Sequence, residues 1–149
     1  MATEIERKFL VTDSSYRVMA VEKKVIAQAY LSRQIDATVR VRRSGDRGFL
    51  TVKSRNRGAA RGEWEYEIPL QDAEEMAALA GGWSIEKTRY MVPHDVHVWE
   101  VDEFHGRHEG LVVAEVELGA EDEAIELPPF AGAEVTGDPA YYNSTLAAK

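Results

Sequence analysis

Glu4-Ile5-Glu6-Arg7-Lys8-Phe9-Leu10-Val11 alternates with a period of two, the period of a β-strand. Glu4, Glu6 and Lys8 fall on one face, and Ile5, Arg7 and Phe9 on the other. Two carboxylates and an ammonium side by side can hold a divalent cation next to a phosphate, because hard cations take oxygen ligands and a lysine balances the anion. The same parity returns in strand after strand, and that recurrence decides the fold.

Working outward, further strands are predicted over 25–33, 37–44, 47–55, 62–70, 84–92, 96–104 and 111–119. Ser44-Gly45-Asp46-Arg47-Gly48, Pro93-His94-Asp95 and the stretch from Gly106 to Gly110 supply turns between them. A short helix is expected over 13–19, opened by Asp13 or Ser14. An amphipathic one is expected over 72–80, stopped by Gly81-Gly82, and a third in the tail, with Asp138 as N-cap and Pro139 at its first position. Eight mostly antiparallel strands with few helices favour a closed barrel, because closure removes exposed edges. The expected class is therefore mainly β (α+β): an eight-stranded antiparallel β-barrel, or tunnel, with a few covering helices and a single domain over 1–149.

The charges respect parity throughout. Arg40 and Arg42 oppose Val39 and Val41, and Thr51 and Lys53 oppose Leu50 and Val52. Arg61, Glu63, Glu65 and Glu67 stand against Trp64, Tyr66 and Ile68, and Lys87 and Arg89 against Thr88 and Tyr90. Glu100 and Asp102 oppose Trp99 and Val101, and Glu115 and Glu117 oppose Val116 and Leu118. For one strand alone, a wet sheet face explains such alternation. Together the strands form same-sign blocks, and like charges placed close together repel unless an opposite charge occupies them. Blocks of both signs imply one cationic and one polyanionic ligand around a common lumen. A metal-bound polyphosphate answers that description.

Composition narrows the field. The chain has 149 residues, 30% of them charged, with a formal net charge of −8. A surplus of acid disfavours nucleic acid as a partner. There is no Cys, which excludes disulfides and thiolate metal sites. No stretch reads as a signal peptide or a membrane span, so the expectation is a cytoplasmic protein with no membrane partner, monomeric or homodimeric.

The ordered set of motifs resembles a known family. Glu4-Ile5-Glu6-Arg7-Lys8 is similar to the ExExK signature of CYTH-domain proteins, the triphosphate tunnel metalloenzymes. Arg40-Val41-Arg42, Thr51-Val52-Lys53, Glu63-Trp64-Glu65, Lys87-Thr88-Arg89, Asp102 and Glu115-Val116-Glu117 follow in the family's order, and the tail from Val135 to Ala147 looks like its C-terminal motif. Ala140 departs from it, standing where a basic residue is expected in many relatives. The resemblance implies an eight-stranded tunnel acting on triphosphates with Mg²⁺ or Mn²⁺. The short chain resembles the compact bacterial members, which points to hydrolysis of inorganic triphosphate (tripolyphosphate) to pyrophosphate and phosphate. Thiamine triphosphatase, nucleoside triphosphatase and adenylate cyclase of the same family remain alternatives, as does a non-catalytic polyphosphate-binding module.

By resemblance and by charge, Glu4, Glu6, Glu115 and Glu117 are the first candidate metal ligands, with Glu63, Glu65 and Asp102 available for a second position. Arg40, Arg42, Lys53, Lys87 and Arg89 are candidate phosphate clamps, joined by Arg61 and Lys8. Lys8, Tyr30, Glu63 and Glu65 are the candidate catalytic group, and the resemblance implies that Tyr30 pairs with Lys8. One metal would bridge phosphate oxygens while a second acidifies the attacking water. Glu67 and Glu100 continue the parity but look peripheral. Arg55 and Arg57 read as solvated charge or an electrostatic lip, His105 and His108 as loop residues, and Trp64, Tyr66 and Trp99 as outward residues beneath covering helices.

Overall fold

The computed structural model describes residues 3–148. Its elements run β1 (Thr3–Val11), α1 (Tyr16–Met19), β2 (Glu22–Gln34), β3 (Ala37–Ser44), β4 (Arg47–Lys53), β5 (Ala60–Ile68), α2 (Leu70–Ala77), β6 (Ser84–His94), β7 (His97–Phe104), β8 (Val112–Glu117), β9 (Ala131–Glu134) and α3 (Asn143–Leu146). The sheet order is β5-β4-β3-β2-β6-β7-β8-β1-β9, and a further β1–β5 pairing closes eight strands into an antiparallel barrel. The closing seam is short: Thr3, Glu4 and Ile5 pair with Gly62, Arg61 and Ala60. Residues 6–10 of β1 pair with β8, and Phe9 and Val11 with β9.

Alternation sorts the side chains as the parity requires, charge inward and apolar residues outward. Outside the barrel, Phe9, Val92, Trp99, Val101, Ala114 and Val116 form a core with Tyr16 of α1 and Phe130 of the β8–β9 connection. A second outer cluster places Ala29, Val41 and Leu50 against Met76 and Ala77 of α2. Burying these apolar faces stabilises the barrel by roughly 25 cal/mol per Å² removed from water.

Several boundaries differ from expectation for physical reasons. β6 runs through Pro93 to His94, and the hairpin is the two-residue loop Asp95-Val96, with Asp95 at φ 56°, a left-handed position that Asp tolerates. The helix expected over 72–80 starts at Leu70 and tightens into a 3₁₀ turn at Ala78–Ala80, ended by Gly81 at φ 62°. The helix expected over 13–19 shortens to Tyr16–Met19, with Asp13 accepting from the Ser15 N–H. The tail breaks into a 3₁₀ turn (Pro139–Tyr141), where Asp138 accepts from the Ala140 N–H, followed by α3. β9 was not expected at all: Ala-Gly-Ala-Glu carries no β-branched or aromatic residue. Its Gly132 permits close packing on β1, because a Cβ there would lie 2.7 Å from Thr12 Cγ2. Trp99 is buried in the outer core, as expected, and its ring packs against Phe9. Trp64 and Tyr66, by contrast, point outward from β5 with no helix over them and are 36% and 62% exposed.

Candidate active site

Inward-facing side chains enclose a cavity of about 190 Å³. Seven carboxylates (Glu4, Glu6, Glu63, Glu65, Glu100, Glu115 and Glu117) line it, with seven cationic groups (Lys8, Arg40, Arg42, Lys53, Arg61, Lys87 and Arg89). The numbers balance, so the distribution matters rather than the sum. The carboxylates come from β5, β1, β8 and β7, which are contiguous around the barrel; most of the cations come from β4, β3 and β6, with β2 between. The lumen is thus divided lengthwise into an acidic and a basic wall.

On the basic wall, Arg40 Nη2 lies 3.4 Å from Thr51 Oγ1 and 3.6 Å from Glu65 Oε1. Arg42 donates through Nε to Gln28 Oε1 at 3.0 Å. Burial, with Arg40 and Arg89 close by, lowers the Arg42 guanidinium to about 9. Lys87 is fully buried and lies 2.8 Å from both Asp102 Oδ2 and Asn143 Oδ1. Burial lowers its ammonium to about 7 despite Asp102, and Arg89 and Arg42 add to the depression. Arg89 grips Asp102 with two bonds, of 2.8 and 2.9 Å, and reaches Glu100 at 3.1 Å. Asp102 is 1% exposed; burial raises its pKa, but Arg89 and Lys87 outweigh that and hold it at about 2. Both its oxygens are engaged by the basic wall. It does not line the cavity with the other candidate metal ligands.

On the acidic wall, lysines separate the carboxylates. Lys53 Nζ stands 2.9 Å from Glu4 and 3.2 Å from Glu63, and Arg61 lies 3.6 Å from Glu4. Burial raises Glu4, yet Lys53 overrides it and brings the carboxyl to about 2. Lys8 lies 3.5 Å from Glu115. At Glu6, Lys53 and Lys8 compensate only in part. Burial, then Glu115 and Glu4, push its carboxyl well above the ordinary value, while Glu115, beside Lys8 and Arg89, falls well below it. Glu117 is also raised, by burial and by Glu4, Glu100 and Glu63. The negative charge of this wall is therefore under-balanced around Glu6. Among the described residues, no three carboxylate or imidazole side chains close on one point.

The C-terminal segment crosses the lumen. Tyr142, Asn143 and Ser144 line it, and Lys8 Nζ donates to the Tyr141 carbonyl at 3.2 Å. Beyond them, Leu146 and Ala147 pack on Tyr30, Ile85, Phe104 and Val113, with Leu10 against the same cluster, forming an apolar floor. His108 Nε2 stands 2.6 Å from the Leu146 carbonyl and Arg107 3.4 Å from it, so this loop anchors the floor. The pairing of Tyr30 with Lys8 is not formed: the Tyr30 hydroxyl accepts from Gln28 Nε2 at 2.9 Å, and Lys8 turns to Glu115 and Tyr141. The sequence places Thr51 on the charged face without giving it a role, and it does not single out Asn143 as a lining residue or Gln28 as the residue bonded to the lining groups Arg42 and Tyr30. Gln28 and Thr51 share the inward parity of their charged neighbours, a signal that could have found them. For Asn143, only the docking of the tail reveals its place.

The CYTH domain family model matches residues 2–143. An inorganic triphosphatase of Acetivibrio thermocellus is 45% identical over 147 residues, covering 98% of this chain and 94% of that protein. One from Nitrosomonas europaea is 37% identical over 150 residues, covering 97% of each. Among solved structures, the crystal structure of an inorganic triphosphatase matches with a TM-score of 0.68 and 34% identity, over 99% of this chain and 95% of that one. No helix among the described residues is long and apolar enough to cross a membrane.

Proposed function

The chain belongs to the CYTH domain family, and on that premise we propose that it hydrolyses inorganic triphosphate to pyrophosphate and phosphate with the help of a divalent cation. The observation that carries this reading is the two-walled lumen. A basic wall of Arg40, Arg42, Lys53, Lys87 and Arg89 offers the charge-assisted contacts a triphosphate needs, with Arg as a planar fork and Lys as a point charge. The opposite wall offers carboxylate oxygens only, the donor set of Mg²⁺ or Mn²⁺.

The fit of a cation rests on Glu6, Glu4 and Glu115: burial and the two neighbouring carboxylates raise the Glu6 carboxyl, and a cation beside them would relieve that repulsion. Glu117 and Glu63 extend this wall. A cation of this kind uses one or two carboxylates and completes its shell with water and phosphate oxygens, so no closed protein cage is needed. When bound, it neutralises phosphate charge and makes water more acidic. The protein's own part is orientation. The basic wall holds the chain in line, Thr51 fixes Glu65 through a 2.9 Å bond, and Lys53 fixes Glu63. Either glutamate can take a hydrogen bond from an attacking water at its free oxygen. The water oxygen forms a bond to phosphorus as its proton passes to the glutamate, a P–O–P bond breaks, and charge on the leaving oxygen is met by lysine and arginine. Asp102 serves the clamp, holding Arg89 and Lys87, rather than the cation.

A substrate panel in Mg²⁺ tests the reading. Tripolyphosphate is expected to show a kcat/KM at least ~10-fold above ATP, about 1.4 kcal/mol of differential transition-state binding. Pyrophosphate, which leaves part of the clamp unpaired, is expected to turn over poorly. Preference for ATP or thiamine triphosphate would reassign the substrate within the family, and phosphate release from none of them would leave a binding module.

A further inference from the structure

Gln28 sits on the inward face of β2 at the closed end of the lumen, 2% exposed, and every one of its partners belongs to the cavity wall. The senses of its bonds follow from chemistry. Arg42 Nε can only donate, so the atom facing it at 3.0 Å is Gln28 Oε1. The amide nitrogen of Gln28 therefore faces the Tyr30 hydroxyl oxygen at 2.9 Å and Asn143 at 3.4 Å. Lys87 Nζ donates at 2.8 Å to Asn143 Oδ1, the same oxygen that accepts from Gln28. Two donors thus saturate the Asn143 oxygen and one occupies the Tyr30 oxygen. Among the described residues nothing accepts the Tyr30 O–H or the Asn143 Nδ2–H, and both residues line the cavity.

From this geometry we infer that Gln28 is a positioning residue: its amide sets Tyr30 and Asn143 as hydrogen-bond donors and steadies Arg42, so that together they receive the terminal phosphate of the substrate at the blind end of the lumen. The inference rests on the triphosphatase reading and deepens it. Behind these groups lies the apolar floor of Leu146, Phe104 and Val113, which offers a phosphate nothing. The last polar layer must therefore read the end of the chain. Donors preset toward the place where an anion will sit need no reorganisation when it arrives.

Gln28→Glu tests this with almost no change of shape. A carboxylate only accepts, so the Tyr30 O–H and the Asn143 amide would turn to it and Arg42 would be paired off. The expected result is a KM for tripolyphosphate raised at least ~10-fold with little change in kcat, the signature of lost uniform binding, and a melting temperature no lower than wild type. Should Gln28→Glu fail to fold, Asn143→Asp supplies the second variant. It keeps an oxygen for Lys87 but replaces the free N–H donors with an acceptor, and it is expected to raise KM likewise. The same variants titrated with tripolyphosphate by calorimetry without added metal give the binding ratio independently of turnover. Wild-type hydrolysis tests the proposed function; the variant-to-wild-type ratio of KM or Kd tests the positioning role. A KM and Kd within ~2-fold of wild type in the folded variants, or a loss of kcat and melting temperature at unchanged KM, would overturn it.

Discussion

The two walls of the lumen solve the problem of buried charge in opposite ways. The basic wall is largely paired: Arg89 and Lys87 share Asp102 at 2.8–2.9 Å, Arg42 is held by Gln28, and Arg40 leans on Thr51 and Glu65 with its Nε left unpartnered. The acidic wall depends on borrowed lysines and leaves Glu6 under-balanced. Lys53 bridges Glu4 and Glu63, Lys8 stands by Glu115, and the Glu6 carboxyl is raised by its buried carboxylate neighbours. A wall that is ordered without ligand is suited to grip a substrate, and one that is strained without ligand is suited to take up a cation. Removing one partner of a buried charged pair is costly, whereas relieving a repulsion is favourable. Substitutions on the two walls should therefore behave differently.

The largest effect is expected on the acidic wall. Glu4→Gln and Glu6→Gln, nearly isosteric, should lower turnover by on the order of 100-fold or more, since even outer-shell changes at metal sites cost 10–100-fold. Wild-type rates in saturating Mg²⁺ would mean that the opening strand is structural only.

On the basic wall, Arg40→Ala should cost about 1.5–3 kcal/mol in kcat/KM by removing one charge-assisted contact to phosphate. Arg89→Ala should lose as much activity and in addition destabilise the fold by about 3–5 kcal/mol, because Asp102 is left buried with half its compensation. Steady-state kinetics and urea unfolding separate the two. Equal stability of the two variants would deny the structural role of the Arg89–Asp102 pair.

A smaller effect concerns protons. Lys87 is held at about 7 in the folded protein against an ordinary 10.5. The native state therefore binds fewer protons than the unfolded one between these values, and this group's contribution to stability rises with pH across that window. A bound phosphate favours the charged ammonium, so binding tripolyphosphate at pH 8 should be accompanied by proton uptake. Calorimetry in two buffers of different ionisation enthalpy measures it, and Lys87→Met should abolish it. Identical heats in both buffers would contradict the buried, neutralised lysine.

The smallest effect is on melting. The raised Glu6 carboxyl loses its stability contribution as pH climbs above the ordinary value of 4.5. Metal-free Glu6→Gln should therefore melt about 2–4 °C higher than wild type at pH 7, the shift expected for roughly 1 kcal/mol in a domain of this size. A lower melting temperature would mean that the acidic wall is not strained.

The inward parity of these charges was legible from the first strand onward, because a strand has a strict period of two and a one-residue slip would bury the wrong face. That is why Glu4, Glu6, Lys53, Arg89 and Glu115 could be placed on one surface before any coordinates. Which charges meet was not legible, because it depends on strand stagger and on contacts across the barrel. Lys53 reaches Glu4 across the short β1–β5 seam, and Asp102 turns to Arg89 rather than to the carboxylates. The tail was legible as helical but not as the floor of the lumen, since Leu146 and Ala147 acquire that role only by docking on Phe104 and Val113. Trp64 and Tyr66 misled for a related reason: alternation fixes the face of a side chain but not what covers that face.

The division of labour between the walls is tested most directly by a crystal structure with Mn²⁺ and a non-hydrolysable tripolyphosphate analogue, using anomalous scattering to locate the metal. The expected result is manganese on the acidic wall beside Glu4, Glu6 or Glu115, with the phosphates along Arg40, Arg42, Lys87 and Arg89 and the terminal one nearest Asn143. Manganese among the basic residues or outside the barrel, or an analogue bound beyond the lumen, would contradict it.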